Sequence, residues 1–227
     1  MYNNKKIIAF IPARIGSKRV PHKNLLSVSG KPLFMYSVDC AKKSSMIDDI
    51  FVSSDSEEIL EIARKNDCIV NELRPKNLSD DNARIVDAII YELSLLKQKY
   101  DAVVLLQPTF PLRPENIIDE ALIKYFEKET SLITVIKSTI TPEFIRYIDN
   151  EGNLCKILNK SSDIRSQDFK QYYKIAGSVY INNLNLINNA TILNENEIPF
   201  VIDEYYALDI DTQQDVDELN KRLAFLI

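Results

Sequence analysis

Five short apolar runs constrain the fold of this chain more than any other feature: Ile7–Ile11, Ile50–Ser53, Cys68–Asn71, Ala102–Leu106 and Leu132–Ile136. Each has the length of a strand rather than of a buried helix, and β-branched residues recur in them. Segments with helical spacing lie between them: Leu33–Lys43, Glu57–Asn66, Ile85–Lys97 and Glu115–Glu127. Apolar runs that do not alternate with polar residues suit strands buried on both faces. The pattern therefore predicts an α/β domain built from right-handed β-α-β units, with a mostly parallel sheet flanked by helices. Asp55, with Glu58 three residues on, is expected to cap the second helix, and Pro114 opens the fourth. Thr212 and Asp215 favour the start of a last helix near Gln213.

The alternation breaks at about Lys137. Phe144–Ile148 and Leu154–Leu158 flank Asp149-Asn-Glu-Gly152 and read as a hairpin with a glycine-containing turn. Residues 159–171 are polar and irregular, after which Lys174–Ile181, Phe200–Ile202 and Leu208–Ile210 resume as short extended runs. Neither an internal repeat nor a low-complexity linker divides the chain, so residues 1–227 are expected to form one domain, with 138–172 inserted into it. That insertion cannot bury its Phe and Ile residues alone and is expected to pack against something else.

Charge is distributed unevenly. Seven of the 28 Lys and Arg residues precede Asp39, the first carboxylate, which leaves 21 basic against 33 acidic residues in the remainder. Four of the seven, Arg14, Lys18, Arg19 and Lys23, lie in the loop that follows the first apolar run. A cationic loop at the end of a buried strand of an acidic protein suits a polyphosphate ligand. Gly16 is expected to permit a close turn that turns the amides of residues 15–18 toward phosphate oxygens. Arg14 offers a planar two-pronged donor, and Lys18 and Lys23 offer mobile point charges. The loop has neither the G-x-x-x-x-G-K-[ST] of a P-loop nor the G-x-G-x-x-G of a dinucleotide fold. Farther on, Asp209 and Asp211 have the spacing that would place two carboxylates on one face of an extended strand, a set suited to Mg²⁺. Pro75 keeps Arg74 out of helical geometry at the end of the third run, and Pro108 and Pro111 stiffen the loop that begins at Gln107.

Ile11-Pro-Ala-Arg-x-Gly-Ser-Lys-Arg-x-x-x-Lys-Asn24 closely resembles the N-terminal signature of the acylneuraminate cytidylyltransferases, the CMP-sialic acid synthetases and their legionaminic and pseudaminic relatives. Four further matches follow in order: Arg74-Pro75, Leu105–Arg113, Gly177–Ile181 and Ala207–Asp211. The resemblance spans almost the whole chain. It implies a Rossmann-like nucleotidyltransferase fold and transfer of CMP from CTP to the anomeric hydroxyl of a nonulosonic acid of legionaminic or sialic type, with release of pyrophosphate, for cell-surface glycan biosynthesis. Arg14, Gly16, Ser17, Lys18, Lys23 and Asn24 would then bind CTP, with Lys23 nearest the reacting phosphates. Arg74 and polar residues before the next helix would help to hold the nucleotide, with Ser79, Asp80 and Asp81 the candidates and Asp80 counted among the nucleotide-binding residues. Asp209 and Asp211 would hold Mg²⁺, and Lys23, Arg14 and Asp211 would be catalytic. Gln107, Tyr180, Arg165 and Gln167 would face the sugar. Two departures stand out: Ala176 replaces an Asn of the sialic acid pattern, and Phe110 replaces a Ser. Both would make the sugar pocket less polar and favour a 7,9-modified, di-N-acylated sugar such as legionaminic acid. The 138–172 insertion would build a homodimer.

Two other functions compete with this one. A CMP-Kdo synthetase shares the chemistry, but its loop usually reads Arg-x-x-Ser-x-Arg-Leu-Pro-Gly-Lys, which fits Gly-Ser-Lys and Lys-Asn poorly. A non-catalytic nucleotide-sugar binding module would have no need to keep Lys23, Asp209 and Asp211 together. A formal net charge of −5 argues against bulk binding to nucleic acid or an anionic membrane. No apolar run approaches the roughly 20 residues of a membrane span, and the N-terminus does not read as a cleavable signal. Three cysteines without a C-x-x-C pattern fit a reducing cytoplasm.

Overall fold

Strand β1 (Ile7–Pro12) is buried at every position but the last, as its unbroken apolar run requires. A small hairpin, β2 (Ser27–Val28) with β3 (Lys31–Pro32), leads into helix α1 (Met35–Lys43), strand β4 (Asp49–Ser53) and helix α2 (Glu57–Lys65). Then come α3 (Ile85–Ser94), β5 (Ala102–Leu105), α4 (Ile117–Tyr125) and β6 (Ser131–Lys137). A second hairpin, β7 (Arg146–Ile148) with β8 (Leu154–Lys156), precedes the long β9 (Tyr173–Asn183), β10 (Ile198–Val201) and α5 (Gln213–Ala224). This computed structural model describes residues 4–159 and 170–224.

The main sheet has six strands in the order β10-β6-β9-β5-β1-β4. Pairs β1·β4, β1·β5 and β10·β6 are parallel, and β9 runs antiparallel to both neighbours. Five strands therefore point one way, and the expected α/β class with a mostly parallel sheet holds. Successive residues of β1 serve opposite faces. Ile7, Ala9 and Ile11 pack with Val38 of α1, Ile59 of α2 and Leu122 of α4. Ile8 and Phe10 pack with Ile89 of α3, and Phe10 stacks on Phe51 of β4 at 5.4 Å.

Several expectations need correction. Cys68–Asn71 is not a full strand: only Ile69 bridges to β4, through Ile69 N–H to the Ile50 carbonyl (2.7 Å) and Val52 N–H to the Ile69 carbonyl (3.0 Å). Two residues later Asn71 turns its amide to Glu92 of α3 (2.6 Å), which takes the chain off the sheet edge. Leu208–Ile210 is likewise not a strand; Ile210 N–H donates to the Thr109 carbonyl (2.8 Å) and the segment docks there without a ladder. Asp55 does not cap α2. Ser56 occupies that position, and the Asp55 carboxylate accepts instead from the backbone N–H of Ile15. The last helix does begin with the expected pair, because Thr212 and Asp215 exchange side-chain-to-backbone hydrogen bonds (2.6 and 3.3 Å).

Candidate active site

The loop after β1, the segment between Ile69 and α3, and the loop after β5 converge on one cleft, where open α/β sheets receive ligands. The β1 loop is pinned at its start. Ala13 N–H donates to the Ser53 carbonyl (2.8 Å), Ser54 Oγ donates to the Ala13 carbonyl (2.6 Å), and Ile15 N–H donates to Asp55 Oδ1 (2.7 Å). Ile15 therefore offers nothing to a phosphate, contrary to expectation. The next three amides, of Gly16, Ser17 and Lys18, have no hydrogen-bond partner among the described residues. Gly16 makes no left-handed turn, and nothing lies within 4 Å of where its Cβ would stand. Its lack of a side chain leaves open space over those amides instead of enabling a tight bend.

His22 then adopts a left-handed conformation (φ 52°), an uncommon choice for a residue with a side chain, and the chain turns Lys23 and Asn24 inward. Lys23 is buried. Its Nζ donates to the Ile210 carbonyl and to Asp211 Oδ1 (3.1 Å). Asn24 ties back through Nδ2 to the Arg14 carbonyl (2.7 Å), and its Oδ1 is buried with no hydrogen-bond partner. Arg14 reaches across the cleft to the Ser79 and Asp80 carbonyls (3.2 and 2.9 Å) and to Asp81 Oδ1 (3.2 Å). Lys18 meets Asp81 Oδ2 at 2.5 Å, and Arg19 meets Asp211 Oδ2 at 2.5 Å.

Arg74 is buried, so it is no surface ion pair. Its backbone N–H donates to the Ser54 carbonyl (2.8 Å) and its Nε to Ser79 Oγ (3.1 Å). Burial lowers the pKa of its guanidinium, while Asp55 and Glu92 oppose the shift. The Asp80 carboxylate accepts from Asn82 N–H (2.9 Å), so that residue shapes its own turn while lining the cleft.

Arg113 holds the β5 loop. It donates to the Gln107 carbonyl (2.9 Å), the Ser178 carbonyl (3.1 Å) and Ser37 Oγ (3.1 Å), and its pKa is lowered by burial. This clamp brings Gln107 and Phe110 against Gly177, where a Cβ would collide with Gln107 Oε1 and stand 2.8 Å from Phe110 Cε2. Phe110 and Ala176 are therefore packing residues and not the pocket walls expected of them. Phe110 is buried on Gly177, and Ala176, 2% exposed, faces the hydrophobic core. The reason is an irregularity in β9: its pairing with β6 shifts between Ile133 and Val135, and Thr134 Oγ1 holds the Ala176 and Val179 carbonyls. Neither residue lines the cleft or the cavity beside it. Tyr180 does reach that cavity and donates to Asn194 Oδ1 (2.9 Å). Burial, aided by the charge of Asp209, pushes its pKa up to about 12. Arg165 and Gln167 lie outside the described residues.

Asp209 is solvent-exposed as a residue, yet its carboxyl is partly desolvated and its pKa is raised; the Thr109 hydroxyl opposes that shift, and the negative charge of Asp211 adds to it. Asp211 is fixed by its backbone N–H donating to Asp215 (3.0 Å). The two carboxylates do not share a strand face, since this segment is not a strand.

The cleft encloses about 550 Å³ and is lined by six basic side chains, Arg14, Lys18, Arg19, Lys23, Arg74 and Arg84, against three carboxylates, Asp80, Asp81 and Asp211. A second cavity of about 220 Å³ adjoins it, and Arg84, Ile85 and Gln107 line both. The geometry fits a long anionic ligand beside a smaller polar group. The family model described as Cytidylyltransferase matches residues 8–219. The chain belongs to that family. Among curated relatives, the pseudaminic acid cytidylyltransferase of Campylobacter jejuni is 35% identical over 217 residues, 93% of this chain and 94% of that protein. The CMP-N,N'-diacetyllegionaminic acid synthase of Legionella pneumophila is 34% identical over 216 residues, 92% and 93% of the two chains. The N-acylneuraminate cytidylyltransferase of Escherichia coli is 30% identical over 93% of this chain, which spans 51% of that longer protein. CMP:2-keto-3-deoxy-manno-octonic acid synthetase complexed with CTP superposes with a TM-score of 0.73 at 15% identity, covering 98% of this chain and 100% of that one, and shares the fold.

As a cytidylyltransferase, the chain is a CTP-dependent nucleotidyltransferase, and several residues that line or brace its cleft escape recognition in the sequence. Asp55 reads as a helix cap, although a carboxylate at the end of a strand could have been placed at the cleft. Thr109 and Arg113 sit inside the Leu105–Arg113 motif without a role. Arg84, which donates to the Asn189 and Thr191 carbonyls (2.7 and 2.5 Å) from the boundary of the two cavities, carries no sequence signal.

Proposed function

We propose that this cytidylyltransferase transfers CMP from CTP to the anomeric hydroxyl of a di-N-acylated nonulosonic acid, of legionaminic or pseudaminic type, and releases pyrophosphate. The observation that carries the nucleotide half is the row of amides at residues 16–18, unpaired among the described residues, in a loop that lines a cleft rich in cations. CTP lies there with its triphosphate along the β1 loop, and the sugar occupies the adjoining cavity, near Gln107 and Tyr180. The hydroxyl attacks the α-phosphorus in line. Arg14, Lys18 and Lys23 neutralise charge that builds up on the departing pyrophosphate, and positioning supplies the rest, with no covalent intermediate. Asp209 and Asp211 supply oxygen donors of the kind that suits Mg²⁺. Bound there, Mg²⁺ would neutralise triphosphate charge.

The sugar half no longer rests on Ala176 and Phe110. It is supported by the relatives named for pseudaminic and diacetyllegionaminic acids, which match this chain over nearly their full length. The Kdo alternative is supported only by likeness of fold. We also infer a homodimer that covers the β7–β8 hairpin, and a cytoplasmic location, which the free thiols of Cys40, Cys68 and Cys155 suit. The test is a pyrophosphate-release assay with CTP and a panel of legionaminic, pseudaminic, N-acetylneuraminic and Kdo acids. The highest kcat/KM is expected for one of the two di-N-acylated sugars; a value at least as high for N-acetylneuraminic acid would overturn the assignment.

A further inference from the structure

The resting cleft already contains an anion, supplied by the protein. Asp81 presents one carboxylate oxygen to Arg14 (3.2 Å) and the other to Lys18 (2.5 Å), and both cations belong to the loop whose amides are unpaired. The arrangement places two oxygens of one anionic group against an arginine and a lysine, as a phosphate would lie. Asp81 stands on the opposite lip of the cleft, after the turn that Asp80 forms with Asn82. That lip is held to Arg14 independently, through the Ser79 and Asp80 carbonyls. The Asp81 side chain is therefore not what joins the two lips. All three partners are partly open to solvent, with Lys18 the most exposed at 82%. The bond from Lys18 keeps the Asp81 pKa below the usual carboxylate range, so the group stays ionised.

We propose that Asp81 is a specificity-determining residue, an internal counter-ion that occupies Arg14 and Lys18 in the empty cleft, penalises nucleotides in proportion to their phosphate charge and so narrows the gap in affinity between CTP and CMP. The inference rests on the nucleotide reading of this cleft. To bind, a ligand must take these cations from a carboxylate that carries a single negative charge. The displaced carboxylate then stands beside the phosphates, so its penalty is smallest for one phosphate and largest for a triphosphate. The same competition weakens retention of the CMP moiety after pyrophosphate has gone. Asp81 thus lowers affinity for every cytidine nucleotide, and removing its charge benefits the most highly charged ligand most.

The experiment is calorimetric titration of CTP, CDP and CMP into the wild-type protein, Asp81→Asn and Asp81→Glu, each at low and at high salt. In Asp81→Asn, CTP should bind more tightly by about threefold to tenfold, the range of two partly exposed ion pairs. CDP should gain less and CMP least, and the gain should shrink at high salt. Asp81→Glu keeps the charge and should keep the wild-type ranking. Unchanged or weaker CTP binding in Asp81→Asn overturns the proposal. So does an equal change for all three nucleotides, which is what a purely structural role in the lip would give. Failure of CTP to bind the wild-type protein would overturn the nucleotide reading and this inference together, so the two failures are distinguishable.

Discussion

At the cleft, charge is buried: Lys23 is 9% exposed and Arg74 6%. On the β7–β8 hairpin, hydrocarbon is exposed: Ile148 is 71% open and Leu154 72%. Both invert the ordinary rule for where such residues lie, but for different reasons. The buried cations are held from within the chain, by the Ile210 carbonyl and Asp211 for Lys23 and by Ser79 for Arg74. Ile148 and Leu154, by contrast, project into solvent. Among the described residues, β7 pairs only with β8, outside the main sheet. The difference separates cations that the chain itself holds from apolar side chains that lie open to solvent.

The largest effects should come from breaking the first region. Lys23→Ala should lower kcat by more than roughly tenfold, because it removes a cation placed where transition-state charge develops. Asp209→Ala and Asp211→Ala should each abolish Mg²⁺-dependent turnover while circular dichroism shows an intact fold. Wild-type turnover in the Lys23 variant, or an unchanged Mg²⁺ response in the Asp209 variant, would remove that residue from the chemistry and reduce its interactions to internal packing.

The hairpin side of the comparison is sharpened by size measurement. Two strands alone are marginal in water, and exposed apolar patches commonly mark interaction sites. A second copy in twofold symmetry is the commonest occupant. Light scattering at micromolar concentration should report a dimer for the wild type, and the double variant Ile148→Ser, Leu154→Ser should report a monomer. A monomeric wild type would show that the exposed hydrocarbon awaits some other partner.

The same contrast explains what could be read from the sequence. Runs buried on both faces gave strands β1, β4, β5 and β6 nearly to the residue, because burial leaves them no alternative pairing. Cys68–Asn71 and Leu208–Ile210 looked equally apolar, yet their hydrogen bonds go to single neighbours that only the tertiary arrangement supplies: Ile50 and Val52 for Ile69, and Thr109 for Ile210. The cations of the first loop were legible from their density. The residues that brace the loops, Asp55 for the β1 loop and Arg113 for the β5 loop, were not, because each bonds a backbone group distant in sequence. Ala176 shows the opposite error, since a matched position predicts a pocket contact only if the local register holds, and β9 is irregular there.

The smallest expected effect tests how closely the β5 loop and β9 are fitted beside the cleft. At Gly177 an added methyl would meet Gln107 Oε1 and the buried ring of Phe110, whereas at Gly16 nothing lies within 4 Å. Gln107 is the flexible partner of the two, but Arg113 holds its carbonyl (2.9 Å), and Phe110 is confined under the same loop. Gly177→Ala must therefore move packed atoms, and overpacking of that kind costs about 1–3 kcal/mol. Urea denaturation should show a loss in that range for Gly177→Ala and a change below about 0.5 kcal/mol for Gly16→Ala, where the methyl points into open space. Because Gln107 borders both cavities, the Gly177 variant should also raise KM for the sugar more than KM for CTP. Equal stability of the two variants would mean that the loop yields freely, and Gln107 would then lose its standing as a fixed wall between nucleotide and sugar.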